Sequence, residues 1–172
     1  MQLSNDTSKT DCLKLALLIY KAGQAWIGSG TPNQQDDNSG KFINGLLGGL
    51  TEFSSVSLTG RTPSDPNYRV GVFRAPRDPY YANSFRDTGF AEQFAYGTNE
   101  VRHFVGFLAA GYGLGIPGGL AALALHPNRN PKAVALGEKA IDLGGNFFGD
   151  YKRLAQDVWH QVCGQSGDLN LP

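Results

Sequence analysis

Two carboxylate–histidine pairs with the same spacing are the residues of this sequence best suited to chemistry. Glu100 and His103 form one pair, and Asp157 and His160 form the other. An i, i+3 spacing places both side chains on one face of a helix. A titratable pair within reach of a substrate can transfer protons, so Glu100 and His103 are the candidate catalytic residues of a hydrolase-type enzyme.

The same pairs also admit structural interpretations. A carboxylate at residue 100 is favoured by the dipole of a helix that starts there, and His103 can bond to a loop carbonyl. Two facing carboxylate-x-x-His helices resemble half of a di-metal bundle, in which further Glu ligands come from other helices. Only Glu92 and Glu138 are plausible as such inward-facing ligands. We therefore predict no metal site and no cofactor.

A second group of functional candidates combines arginine with aromatic residues between positions 61 and 90. Such residue types are typical of interface hot spots and of base or phosphate recognition. Three Asp residues in the same stretch favour a protein partner over a nucleic acid. Alternatively, these Asp residues form ion pairs with the arginines and attach the loop to the rest of the fold. The predicted binding residues are Arg69, Arg74, Arg77, Tyr80, Tyr81 and Arg86.

No nucleophile elbow, phosphate-binding loop, zinc-protease motif or CxxC motif occurs in the sequence. The leading prediction is therefore a non-enzymatic interaction or effector domain that binds a protein through the Arg/aromatic loop. The hydrolase with Glu100 and His103 is one alternative, so the sequence leaves open whether the chain is an enzyme. A membrane-perturbing toxin that exposes residues 104–125 is the other.

Charge and composition limit the partners. Lys plus Arg equals Asp plus Glu at 15 each, and the isoelectric point is near 6.8. A general nucleic-acid binder is normally basic, so we predict no nucleic-acid partner. Membrane binding remains an alternative that the balanced charge does not favour.

The run 104–125 organises the predicted fold, because it contains no charge and six glycines. Such a run is long enough to span a bilayer, and Gly111, Gly115 and Gly119 fall on one helical face. However, Pro117 and the two glycines after it predict a break. We expect one helix from 99 to 115 and a shorter one from 118 to 125, both buried in a folded core.

Hydrophobic periodicity and capping residues predict further helices at 10–26, 41–53, 131–143 and 151–163. The stretch 28–40 is predicted to be a loop, because it contains no large apolar residue. The fold class is thus mainly α: a single domain, 1–172, of five or six helices around the central Gly-rich apolar helix. A long ordered loop, about 54–90, is expected to cover one side of it.

The two cysteines lie in the first turn of the first predicted helix and the last turn of the last one. Antiparallel packing of those helices would bring Cys12 and Cys163 together, whereas parallel packing would separate them. We predict that they form a disulfide, which requires Cα atoms within about 7 Å. A bonded pair implies an extracytoplasmic protein and free thiols a cytoplasmic one.

Overall fold

The computed structural model describes residues 8–28, 35–50, 53–54, 73–74, 87–97 and 99–171. Five helices lie in this part of the chain: α1 (Asp11–Trp26), α2 (Gln35–Leu50), α3 (Glu100–Leu125), α4 (Pro131–Gly145) and α5 (Tyr151–Asp157). A π-helical segment, Val158–Val162, continues α5, and β1 (Phe53–Ser54) pairs antiparallel with β2 (Phe73–Arg74). The predicted mainly α fold around a central apolar helix is confirmed, and that helix, α3, packs on α4.

Three helices begin where the sequence places a capping side chain. Thr10 Oγ1 accepts a hydrogen bond from Leu13 N at 3.4 Å. Asn130 Oδ1 accepts from Lys132 N at 3.0 Å, one residue after the N-terminal proline of α4. Asp150 Oδ1 accepts from the third residue of α5, also at 3.0 Å. Each cap satisfies a backbone N–H that has no partner inside its own helix, so these starts are locally encoded.

Helix α2 differs from its predicted bounds. It begins at Gln35, six residues earlier than expected and inside the predicted loop 28–40. Ser39 is buried, so part of this polar stretch belongs to the core side of the helix. The loop-like composition therefore concealed a helix start.

Helix α3 is a hairpin of two arms. Gly115 has φ 69° and ψ 172°, which interrupts the helix and suits only glycine. In a continuous helix His103 and His126 would lie about 35 Å apart, at about 1.5 Å per residue. Their ring centroids are 5.1 Å apart. The arms 100–114 and 116–125 therefore run antiparallel. The predicted break between two helices is confirmed, but it lies at Gly115 and not at Pro117, which belongs to the second arm. The prediction that the second helix is buried is wrong, because most residues of that arm are exposed or partly exposed.

The hairpin also bears on the membrane alternative. By its length and composition, α3 could cross a bilayer, and no other helix in the described part of the chain meets that condition. Of the most apolar 18 residues of α3, 28% are buried in the structure. Folded at Gly115, its arms are about 22 Å and 15 Å long. The hydrocarbon core of a bilayer is about 30 Å thick. Neither arm spans that thickness in this fold.

Glycines allow α3 and α4 to approach closely. A Cβ at Gly111 would collide with the backbone of Ile141, and a Cβ at Gly144 would collide with the carbonyl of Leu108. Gly119, on the second arm, faces the Ile141 side chain at 2.8 Å from its Cβ position. Both arms of the hairpin thus lie against α4. Large side chains fill the surrounding core: Leu15, Ile19, Phe42, Ile43, Phe104, Leu108, Leu136, Ile141 and Val158.

The first and last helices pack antiparallel. The aromatic ring of Tyr151, at the start of α5, covers Gly23 near the end of α1. At the other end Cys12 and Cys163 form the predicted disulfide, with Cα atoms 5.7 Å apart. The π-helical segment brings both Val162 and Cys163 into the core at this junction. The antiparallel packing of the first and last helices, on which the predicted disulfide depended, is therefore present.

The covering loop is mostly outside the described residues. Within 54–90, the structure describes Ser54, the strand Phe73–Arg74 and residues 87–90. The predicted binding residues Arg69, Arg77, Tyr80, Tyr81 and Arg86 lie outside them. Arg74 lies in the described part, where its backbone pairs with that of Phe53.

Candidate functional site

The site is built where residues 87–88 meet the starts of α1 and α3, next to the disulfide. Thr88 O accepts from Cys12 N at 3.0 Å, and Thr88 N donates to Asp11 Oδ2 at 3.1 Å. Asp11 Oδ1 accepts from Lys14 Nζ at 3.0 Å, and both side chains of this ion pair are buried. Burial of charges is tolerated only when they are paired and hydrogen-bonded, so this pair fixes Thr88 firmly to α1.

Asp87 attaches the same segment to α3. Its carboxylate accepts from Asn99 N at 2.6 Å and from Val101 N at 3.2 Å. These N–H groups lie at the start of the helix, where the dipole also favours a negative charge. Asp87 itself adopts a positive φ of 54°, a conformation in which Asp is enriched among non-glycine residues. The segment that contains both residues is therefore held to two helices at once.

Glu100 is completely buried at the first position of α3. Its Oε1 accepts from Tyr96 N at 2.8 Å and also from Gly97 N. Its Oε2 is buried and has no hydrogen-bond partner among the described residues. A buried carboxylate oxygen without a partner is costly, and each such atom requires an explanation. This is the one unsatisfied buried side-chain oxygen found in the described part of the molecule.

His103, one turn further along α3, is buried against α4. Its Nε2 lies 2.7 Å from Ala133 O, and a carbonyl only accepts, so Nε2 carries the proton. Burial lowers the pKa of His103 to about 4; the hydrogen bond to Ala133 opposes this shift and nearby His126 adds to it. His103 is thus neutral at pH 7, with Nδ1 as its unprotonated nitrogen.

Three aromatic rings surround the His103 imidazole. The ring centroids of Tyr96, Phe107 and His126 lie at 5.9, 4.8 and 5.1 Å from it. Burial raises the pKa of Tyr96, and the charges of Glu100 and Asp87 raise it further. Burial also lowers the pKa of His126, with a further contribution from the positive charge of Arg129.

These rings and Glu100 form a cluster of neutral aromatic groups beside one buried carboxylate. The structural interpretation of His103 agrees with the structure in that its proton is committed to a backbone carbonyl, but that carbonyl lies in the first turn of α4 and not in a loop. Glu100 has one oxygen committed to the backbone and one without a partner. The unpartnered polar atom of the cluster is thus Glu100 Oε2, whereas the Nε2 proton of His103 is held by the carbonyl of Ala133.

The second carboxylate–histidine pair serves the end of the chain. His160 Nε2 lies 2.7 Å from Gly167 O, and Asp157 Oδ2 lies 3.6 Å from Arg153 Nε. Among the described residues, no group of three or more His, Cys, Asp or Glu side chains is placed to hold an ion.

Sequence reasoning missed His126 and Tyr96 as members of the cluster. The signal for His126 was present in the predicted break. His103 lies twelve residues before Gly115 and His126 eleven residues after it, so two antiparallel arms place the two histidines beside each other. Tyr96 belongs to a short irregular segment, and neither periodicity nor spacing connects it with His103.

No protein-family model, no curated protein and no solved structure matches this chain. We therefore argue its function from its own residues.

Proposed function

We propose that the chain is a non-enzymatic interaction or effector domain that binds a protein partner through its Arg/aromatic loop. The residues that make the contact are those predicted from composition: Arg69, Arg74, Arg77, Tyr80, Tyr81 and Arg86. Arg and Tyr are enriched among the side chains that contribute most to protein–protein binding.

The observation that carries the proposal is the double attachment of this loop. On one side Phe73–Arg74 pairs with Phe53–Ser54. On the other side Asp87 and Thr88 are hydrogen-bonded to α3 and α1. Residues 75–86 therefore lie between two attachment points on the folded body. A loop whose ends are already held loses less conformational freedom on binding, which favours its use as a recognition segment.

The carboxylate of Asp87 strengthens the argument. The sequence alternative was that loop arginines pair with Asp65, Asp78 and Asp87. Both oxygens of Asp87 instead accept backbone N–H groups of α3. One of the three candidate counter-charges thus has a different role, which favours arginines that meet a partner.

We further propose that the protein acts outside the cytosol. Buried Cys12 and Cys163 are bonded across a sequence separation of 151 residues. Disulfides of this structural kind form and persist in oxidising compartments and are rare in reducing ones.

The first test reverses two charges of the loop. The partner is first identified by cross-linking to the wild-type protein and then purified. We expect the double variant Arg74→Glu/Arg77→Glu to bind it at least about tenfold more weakly, because two favourable contacts become repulsive. The thermal midpoint should be unchanged. Calorimetric titration measures the affinity, and circular dichroism measures the midpoint.

Arg129→Glu is the matched control, because Arg129 is an exposed arginine on the turn before α4. It should bind like the wild type. A lowered midpoint of the double variant would show that the loop arginines hold the fold. Unaltered affinity at an unaltered midpoint would also reject the proposal.

The hydrolase alternative keeps one specific observation in its favour, the unpartnered Oε2 of buried Glu100. General acid–base groups contribute about 10²- to 10⁴-fold to rate. If the protein hydrolyses any of a panel of chromogenic esters, glycosides and phosphodiesters, Glu100→Gln should reduce turnover at least about 10²-fold while the fold is retained. Glu138→Gln, at an exposed position, should leave turnover intact. Absence of turnover by the wild type, or equal turnover by both variants, removes this alternative.

A further inference from the structure

Two carboxylates at the start of α3 have no cationic partner within the described part of the chain. Asp87 and Glu100 each accept two backbone N–H groups of this region. Neither Arg102 on α3 nor Arg129 before α4 forms an ion pair with them, and the ion pairs among the described residues involve other cations: Lys14, Lys139 and Arg153. The helix dipole offsets only part of a full negative charge. An excess of negative charge therefore remains at this end of the hairpin.

The two histidines of the cluster add no positive charge at pH 7. Burial lowers the pKa of His103 to about 4 and also lowers the pKa of His126. His126 Nδ1 already accepts a hydrogen bond from Asn128 N at 3.2 Å. His103 Nδ1 is unprotonated and, like Glu100 Oε2, accepts no hydrogen bond from the described residues. The cluster therefore contains two acceptors without a donor.

The cluster lies close to the surface of the protein. Gly97, whose N–H bonds to Glu100, is exposed, and Tyr96 and His126 are half-buried. Both of these rings contact the ring of His103, with centroids at 5.9 and 5.1 Å from it. Glu100 itself is covered, but Tyr96 belongs to an irregular segment, so its ring can move aside without unfolding a helix. A small ligand group can thus reach Glu100 from this side.

We propose that this cluster binds a protonated primary amine, which donates one of its N–H groups to Glu100 Oε2. A cation is favoured because the two carboxylates lack one, and a buried carboxylate oxygen without a partner is costly. A donor is required because Oε2 and His103 Nδ1 are both acceptors. The rings of Tyr96 and Phe107 contribute further, since the face of an aromatic ring attracts cations. The site does not include the Arg/aromatic loop, so it is independent of the partner proposed for that loop.

Other ligand classes match these acceptors less well. An alcohol or a sugar offers O–H donors but carries no positive charge, and a quaternary ammonium carries the charge but has no N–H group. A guanidinium has five N–H donors in a rigid plane, so two acceptors would leave most of them unsatisfied. A primary ammonium group occurs both in small free amines and in lysine side chains of peptides. These two sources share one chemistry and are distinguished by experiment.

Calorimetric titration of the wild-type protein tests the ligand class with three probes at one ionic strength. We expect butylammonium to bind, and butyltrimethylammonium and butanol to bind at least about tenfold more weakly, because the former has no N–H donor and the latter no charge. A lysine blocked at both ends by acetyl and methylamide groups identifies the source. Affinity equal to that of butylammonium indicates a lysine side chain, and lower affinity indicates a small free amine. Equal affinity for the three probes, or no binding of butylammonium, would overturn the proposal.

Glu100→Gln tests the acceptor itself. The amide oxygen of Gln still accepts the two backbone N–H groups, so the fold should be retained, which circular dichroism checks. The amide nitrogen replaces Oε2 and only donates, so we expect the affinity for butylammonium to fall at least about tenfold. The exposed Glu138→Gln is the matched control and should bind like the wild type, as should Arg74→Glu/Arg77→Glu in the loop. Unaltered affinity of a folded Glu100→Gln protein rejects the proposal, and if that variant does not fold, the three probes on the wild type decide.

Discussion

Reduction of the Cys12–Cys163 disulfide should lower the free energy of unfolding by up to about 5 kcal/mol. The bond joins residues 151 apart in sequence, so it removes a large share of the conformational freedom of the unfolded chain. Reduction also leaves two thiols in a packed core, where Cys12 is 0% and Cys163 3% exposed. The folded contacts around them are otherwise retained, so the loss comes mainly from the unfolded state.

Thermal unfolding with and without dithiothreitol measures this effect. For a chain of this size, about 5 kcal/mol corresponds to a midpoint lower by roughly 10–20 °C. The double variant Cys12→Ser/Cys163→Ser is the control, because its midpoint should not respond to the reductant. If the reduced and the oxidised wild-type proteins have the same thermal midpoint, the unfolded chain is already restricted without the bond.

Replacement of Gly111 by alanine should destabilise the protein by about 1–3 kcal/mol, the usual cost of overpacking. In a helix, alanine is normally favoured over glycine by about 1 kcal/mol, so the expected sign is opposite to the propensity. The reason is the contact with α4. A Cβ at residue 111 would meet backbone atoms of Ile141, including its Cα at 2.8 Å. A backbone cannot rotate away as a side chain can, so the two helices must separate.

Gly106→Ala is the matched control on the same helix. Apart from the neighbouring backbone of its own helix, no atom lies within 4 Å of its Cβ position, so this variant should be neutral or stabilised by up to about 1 kcal/mol. Urea unfolding of both variants measures the difference. If Gly111→Ala is as stable as Gly106→Ala, the close approach of α3 and α4 is not a feature of the folded protein in solution.

Features encoded within one turn of the chain were predictable from sequence. The caps at Thr10, Asn130 and Asp150 are short-range hydrogen bonds between residues two to three apart, so the starts of these three helices could be predicted from the sequence to within a residue. A break in the apolar run was predicted at Pro117 and the two glycines after it, and the structure has it at Gly115, two residues earlier. Helix α2 was the exception, because polar residues of its first turn resemble a loop when tertiary burial is unknown.

Apart from the disulfide, the long-range contacts of the site were not predictable. Asp11 and Thr88 are 77 positions apart, and nothing in either neighbourhood indicates the other. Glu100 and His103 were correctly placed at the start of the central helix, yet the partner of His103 is Ala133, 30 positions away. The disulfide was predictable for a different reason: helix order and one assumption about packing direction were enough to locate it.

The antiparallel pairing of the first and last helices has a mechanical consequence. Because Cys12 and Cys163 are adjacent, tension applied outside these two residues passes through their sulfur atoms and bypasses the core. The oxidised protein therefore transmits force without lengthening between them. Once the bond is reduced, unfolding under tension would release the chain between them, a sequence separation of 151 residues or about 500 Å at roughly 3.4 Å per residue. In a polypeptide under tension, the oxidised domain would therefore keep its length, whereas the reduced domain could be extended.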